Sequence, residues 1–151
     1  MFYMKKYLHF CLALLLCLGG LSGCKSKKAV IATFNDLNGE WNVIEMNGKN
    51  LDPASTHQFL VFDIARKYIS GNAGCNRIMG DVQYSDTQKN IVKFPKIAST
   101  RMACPDMTEE RELLSTLEKV VRFEAVGENK PITEIAFYGT DNSKLLVIKK
   151  R

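Results

Sequence analysis

The chain is poor in the residues from which catalytic and metal sites are built. Among 151 residues there are two histidines and one tryptophan. His9 falls in an apolar leader, so His57 is the one histidine left for the body of the protein, with no Cys or carboxylate cluster beside it in sequence. A lone imidazole makes a weak metal ligand or general base. Gly-x-Ser-x-Gly, Walker, Gly-x-Gly-x-x-Gly and His-Glu-x-x-His patterns are all missing, which removes the usual signatures of hydrolases, nucleotide binders and metalloproteases. So is Cys-x-x-Cys, the spacing that tunes a redox thiol. The carboxylates mark out no glycosidase-like pair in sequence. The expectation is a protein without cofactor, metal site or enzymatic activity.

Acid is absent from the front of the chain. Residues 1–28 hold Lys5, Lys6, Lys25, Lys27 and Lys28 but no Asp or Glu. The whole chain has 21 Lys+Arg against 16 Asp+Glu, a formal charge of +5; without those five lysines, 21 − 5 = 16 bases face 16 acids. Nucleic-acid binding draws its affinity from clustered Lys and Arg on phosphates. A formally neutral body therefore excludes nucleic acid as the expected partner. The 46% hydrophobic and 25% charged residues are ordinary globular values.

A long apolar run is also lacking. Tyr7 to Leu18, apolar apart from His9, covers 12 residues, short of the roughly 20 that cross a bilayer as a helix. With Met4-Lys5-Lys6 before it and Gly19-Gly20-Leu21-Ser22-Gly23 after it, the segment reads as a secretory signal. Leu21-Ser22-Gly23-Cys24 resembles the bacterial lipobox, in which small side chains admit the peptidase and a thiol accepts the diacylglycerol. That resemblance implies a signal peptide over residues 1–23, cleavage before Cys24, and lipidation of Cys24. Residues 24–38 then read as a membrane-anchored tether and residues 39–151 as one domain. Lys25, Lys27 and Lys28 follow the anchor, and a basic rather than acidic run fits a protein of the outer membrane facing the periplasm.

Cys11 and Cys17 leave with the signal and Cys24 is taken by lipid, so Cys75 and Cys104 remain. An even pair in an oxidising compartment predicts a structural disulfide. Two buried free thiols, or a reactive site, are the alternatives.

From Gly39 onward, short apolar runs alternate with turn residues. Strands are predicted over Trp41–Met46, ending at the turn Asn47-Gly48, then over Gln58–Ile64 with both faces buried. Further strands are predicted from Tyr68, over Val82–Ser85 and over Asn90–Ile97, where Pro95 marks an edge or an end. Leu51–Ser55 reads as loop. One helix is predicted over Met107–Glu124, capped by Asp106 with Glu109 three residues on, and carrying an apolar stripe of Leu113, Leu114, Leu117, Val120 and Val121. A final hairpin joins Glu134–Tyr138 to Lys144–Lys149. The expected fold is α+β: a single domain with an antiparallel, barrel-like β-sheet and one amphipathic helix packed on it.

Three clusters carry a family resemblance: Gly39-Glu40-Trp41, Ser70 to Gly80 with its Gly-Cys-Asn turn, and Thr100-Arg101-Met102-Ala103-Cys104 before the acidic helix. Together they resemble the META domain, the HslJ-like family of bacterial lipoproteins. Its signature falls here on Gly71, Gly74, Cys75, Asn76, Gly80, Thr100, Arg101 and Cys104. The resemblance implies a small β-rich envelope protein, with members linked to heat-shock response and antibiotic tolerance. Asn76 is expected to satisfy backbone groups near its turn, and Arg77 and Arg101 to be ordinary surface residues or an anion-binding patch. The expected partners are the membrane, through Cys24, and a hydrophobic ligand or an envelope protein. A binding module for an acyl chain or envelope peptide, or a hydrolase inhibitor, is the alternative to a role in envelope maintenance.

Overall fold

Asn47 and Gly48 both take positive φ, 49° and 81°, the backbone that a tight two-residue hairpin demands. They turn strand β1 (Gly39–Met46) back into the short β2 (Lys49–Asn50). The computed structural model describes residues 30–151; the expected signal peptide over residues 1–23, Cys24 and the lysines beside it lie outside the described residues. Asp52 then caps a single helical turn, α1 (Pro53–Thr56), accepting the Ala54 N–H at 3.0 Å. The sequence reading made this stretch loop. Proline at the first helical position, behind an Asp cap, is the signal that favours the turn.

The remaining strands are β3 (Phe59–Asp63), β4 (Tyr68–Asn72), β5 (Arg77–Asp81), β6 (Gln83–Tyr84), β7 (Val92–Lys93), β8 (Ile97–Ser99), β9 (Arg122–Ala125), β10 (Glu134–Tyr138) and β11 (Lys144–Lys150). One antiparallel sheet runs β8-β5-β4-β3-β1-β11-β10-β9, with β2 added to β1 and with β6-β7 as a separate pair. The α+β class holds, but the sheet is not closed into a barrel. Its end strands β8 and β9 do not pair with one another. Residues 90–96 occupy the gap, touching β9 through Phe123 N–H to the Asn90 carbonyl (2.9 Å) and Val92 N–H to the Val121 carbonyl (3.2 Å). Pro95 in that segment has no N–H to extend a ladder. The single predicted strand over Asn90–Ile97 is accordingly split into β7 and β8.

Helix α2 covers Thr108–Lys119, shorter than predicted. Residues Arg122–Ala125 leave it for β9, pairing Phe123 with Phe137 and Ala125 with Ile135. Alternation of Phe123 inward and Glu124 outward suits a strand, and sheet pairing overrides the helical continuation. Leu113 and Leu117 join Trp41, Leu60, Phe62, Ile69, Ile78 and Ile148 in one hydrophobic core. Phe137 is its centre, with the rings of Phe62, Phe94 and Phe123 between 6.0 and 6.3 Å away. Phe94 comes from the gap-filling segment, so the opening of the sheet is plugged by a ring whose burial is worth about 2 kcal/mol.

Two further differences bear on function. β3 lies between β1 and β4, yet its burial alternates: Leu60 and Phe62 face the core while Phe59 and Val61 are only half-buried on an uncovered outer face. The stretch before Gly39, read as tether, also reaches the core. Ala32, Phe34 and Leu37 are buried, Phe34–Leu37 forms a 3-10 turn, and the Leu37 carbonyl accepts the buried Trp41 indole N–H at 2.6 Å.

Candidate functional site

The residues of the family signature meet where the β4–β5 hairpin, the segment after β8 and the start of α2 converge. Asn72 Oδ1 accepts the Gly74 N–H at 2.7 Å, and the Ala73 N–H reaches the Asn76 carbonyl at 2.9 Å. Gly74 sits at φ 122°, so the hairpin needs glycine there. Gly71 and Gly80 answer a different demand, close approach of backbones. A Cβ on Gly71 would stand 2.1 Å from the Phe59 carbonyl oxygen, and one on Gly80 2.2 Å from that of Lys96. The turn directs Cys75 at Cys104, and the two form a disulfide with Cα atoms 6.5 Å apart.

Asn76 is fully buried and holds these parts together. Its Nδ2 donates to Glu110 Oε1 at 3.0 Å, while Glu110 Oε2 accepts the Asn76 backbone N–H at 2.9 Å. Its Oδ1 accepts the Thr100 hydroxyl at 2.7 Å and the Met102 N–H at 2.8 Å. Thr100 in turn exchanges bonds with Arg77, taking its N–H on Oγ1 (3.2 Å) and giving its own N–H to the Arg77 carbonyl (3.0 Å). Gln58, also buried, ties the turn to the helix through Nε2, donating to the carbonyls of Ala73 (2.9 Å) and Glu109 (3.2 Å). Its Oε1 is buried with no hydrogen-bond partner. The Asx-type bond expected of Asn76 is made by Asn72 instead, and Asn76 works at long range.

Glu110 is the member that sequence reasoning missed. It stands in the first turn of α2, where the helix dipole favours acids at the surface, yet only 3% of it is exposed. The signal was its phase: it lies three residues before Leu113 and seven before Leu117, on the buried stripe itself. A carboxylate there requires donors, and Asn76 supplies them. Asp106, expected as the N-cap, is exposed and lies one residue before it; the N-cap of α2 is Met107, which makes no side-chain cap bond. Thr108, through its hydroxyl and its N–H (2.8 Å), holds the Asp106 carboxyl below the usual carboxylate range. Arg77 and Arg101 are both exposed. Their segments are joined by the backbone bonds of Thr100 rather than by their guanidinium groups.

Four surface depressions stand out, two of them at these elements and two around the N-terminal turn. One of about 260 Å³ sits on the disulfide, lined by His57, Cys75, Cys104, Asp106, Glu109 and Glu110 among others. Among the described residues no cluster of His, Cys, Asp and Glu is arranged to hold a metal ion. A groove of about 460 Å³ crosses the outer sheet face over Phe59, Val61, Tyr68, Arg77 and Met79. The largest, about 520 Å³, lies beside the stacked rings of Phe34 and Tyr84, 4.0 Å apart, where Lys67 Nζ stands 4.9 Å from the Tyr84 ring. The fourth, about 390 Å³, is mostly apolar and is lined by Val30, Ile31, Ala32, Phe123 and Ala125. The core between sheet and helix is filled by aromatic and aliphatic side chains.

Close to the last two, Asp36 closes the N-terminal turn, taking the Thr33 N–H (2.8 Å) and hydroxyl (2.7 Å). Burial pushes its carboxyl up, but the two Thr33 bonds, with the charge of Lys130, outweigh that and leave it below the ordinary value. Among the described residues no helix is long and apolar enough to cross a membrane.

Comparison with known proteins agrees with this architecture. The solved structure of a DUF4847 family protein from Bacteroides vulgatus superimposes with a TM-score of 0.52 at 14% identity, over 76% of this chain and 94% of that one. An NMR structure of a protein from Burkholderia xenovorans gives 0.55 at 20% identity, over 86% and 97%. At these identities the likeness is one of fold alone. No curated protein matches. The META domain family model matches residues 33–147, which takes in Gly39-Glu40-Trp41, the Gly-Cys-Asn hairpin and the Thr100–Cys104 segment. The chain belongs to the META domain family.

Proposed function

We propose that this protein is a lipid-anchored, non-enzymatic envelope protein, held to a leaflet through Cys24 and contributing to envelope maintenance or tolerance of heat and antibiotics. The observation that carries the anchor is Leu21-Ser22-Gly23-Cys24, placed directly after a basic and then apolar leader. A cysteine pair closed into a disulfide is consistent with an oxidising compartment. The non-enzymatic reading is supported by how the signature polar groups are used: Asn76, Thr100 and Glu110 spend their hydrogen-bonding capacity on one another. The stress role rests on family membership.

The anchor is tested by detergent phase partition of the protein expressed with its own leader. The parent chain is expected in the detergent phase and Cys24→Ala in the aqueous phase. Equal partition of the two would remove the anchor.

A second reading, a binding module for an envelope peptide or acyl chain, is favoured by the outer-face groove over Phe59, Val61, Tyr68 and Met79. Met79 there is 42% exposed, more than a large apolar side chain on a finished surface needs. Native mass spectrometry of the protein from its own host distinguishes the two readings: a stoichiometric ligand favours the module, and its absence the anchored structural role.

A further inference from the structure

We infer that the end of the domain at which the chain enters from Cys24 is a membrane-contacting face, with Ile31 and Val126 seated in the headgroup region of an anionic leaflet. The inference rests on the anchor at Cys24. Four large apolar side chains are exposed among the described residues, and two of them are here, Ile31 at 71% and Val126 at 44%. Ile31 helps line the apolar groove of about 390 Å³, and Val126 follows Ala125 on its other wall. Patches of this kind on a soluble surface mark contact sites.

The occupant follows from the length of chain between anchor and groove. Cys24 and Val30 are six residues apart, a reach of about 20 Å at full extension. A domain of this size is about 30 Å or more across. Its far side cannot meet the bilayer, whereas Val30 and Ile31 cannot leave its neighbourhood. Charge agrees with a leaflet as the partner. Lys25, Lys27 and Lys28 lie within the six-residue link, and Lys89 lines both this groove and the adjoining one that holds Lys67. Basic residues next to an anchor are attracted by anionic headgroups. Acids also share the region: Glu124, on the groove wall, is engaged by Arg122 at 2.5 Å; Glu134, whose carbonyl takes the Val126 N–H, is paired with Lys149 at 2.9 Å; Glu128 follows two residues after Val126; and Asp86 lines the adjoining depression. Apolar side chains beside a lipid anchor, with basic residues close in sequence, suit a headgroup boundary better than they suit open water.

The test uses the full acylated protein reconstituted in phosphatidylethanolamine–phosphatidylglycerol vesicles whose acyl chains are brominated near the headgroup. Tryptophan is introduced at Ile31→Trp, at Val126→Trp and, as a control on the outer sheet face, at Met79→Trp. The native Trp41 is fully buried and supplies a common background. The introduced emission of the first two variants is expected to shift to the blue and fall at least twofold relative to unbrominated vesicles, with Met79→Trp unchanged. Vesicle flotation separates the two ways of failing. Protein that floats while Ile31→Trp is quenched no more than Met79→Trp overturns the membrane face and leaves the anchor standing. Protein that does not float overturns both. Equal quenching of Ile31→Trp by a brominated fatty acid, added to the unacylated Cys24→Ser chain, reassigns the groove to a free acyl ligand and also overturns the proposal.

Discussion

Replacing Asn76 by alanine removes three side-chain hydrogen bonds to oxygen and nitrogen partners, and a long one from Nδ2 to Cys104 Sγ at 4.0 Å, from a fully buried position. The largest loss is at Glu110, whose Oε1 gives up its donor at 3.0 Å while staying buried. A bond to a charged group is worth about 2 kcal/mol net. The Met102 N–H, 2.8 Å from Asn76 Oδ1, adds about 1 kcal/mol, and the void left by the amide adds about 1 kcal/mol more. Thr100 is exposed and its hydroxyl can turn to water, so its share is small. The sum is about 4 kcal/mol, a large part of the 5–15 kcal/mol expected of a domain, and corresponds to a fall in melting temperature of about 15 °C. Urea unfolding of the unacylated Cys24→Ser chain, followed by the fluorescence of buried Trp41, measures it. Asn76→Asp is the informative partner, because it keeps the shape but sets a second carboxylate against Glu110. Its deficit should be at least as large as that of Asn76→Ala, because the donor to Glu110 is gone and two buried acidic groups face one another in its place. A loss below 1 kcal/mol for Asn76→Ala, or a smaller loss for Asn76→Asp than for Asn76→Ala, refutes the claim that this buried network holds the hairpin to the helix.

Three further outcomes follow from the same structure. Reducing the Cys75–Cys104 bond, which spans a sequence separation of 29, should cost about 3.6 kcal/mol on the loop-entropy account, read as a lower urea midpoint in dithiothreitol; an unchanged midpoint would exclude it. Gly71→Ala should prevent folding or cost about 3 kcal/mol, since its Cβ would meet the Phe59 carbonyl, which no rotamer change relieves; Gly48→Ala, with open space around it, should pay only for its positive φ, and the two are compared by thermal melts. Thr33→Val removes the hydroxyl that holds Asp36 low. A depressed carboxyl stabilises the fold above its unfolded pKa near 3.8 and loses that contribution as pH falls through the folded value. The variant should therefore be less stable by about 1 kcal/mol at pH 7, with a deficit that shrinks as the pH falls below 3.8; a deficit that stays constant as the acid range is entered would contradict the assignment.

How far the sequence foretold this arrangement depended on whether the determining contact was local. The Asn47-Gly48 turn and the last hairpin are written in adjacent residues, and both form where expected. The α2 stripe at Leu113 and Leu117 is equally local, but its end is not: Val121 and Arg122 suit helix or strand alike, and β10 decides between them. Closure of the sheet depends on whether β8 meets β9, and no local signal reports that Asn90–Lys96 lies between them. In the site, the motif residues were legible as a cluster in sequence, and the structure shows why their types are fixed. Gly71 and Gly80 face carbonyls of neighbouring strands, and Asn76 bonds to Thr100, Met102 and Glu110 from two other segments. Glu110 alone carried an unread clue, in its helical phase. Ala32, Phe34 and Leu37 are too sparsely spaced before Gly39 to show periodicity, and their burial comes from tertiary packing, Leu37 beside Trp41 and Phe34 on the Tyr84 ring.

The account stands most directly on the fate of Cys24. The intact mass of the mature protein extracted from membranes of a lipoprotein-processing bacterium, with the mass of its N-terminal peptide, measures it. The predicted result is a chain that begins at Cys24 and carries the mass of a diacylglyceryl group on that residue, with Cys75 and Cys104 two hydrogens lighter than free thiols. A chain that retains residues before Cys24, or one with an unmodified thiol at Cys24, would contradict it.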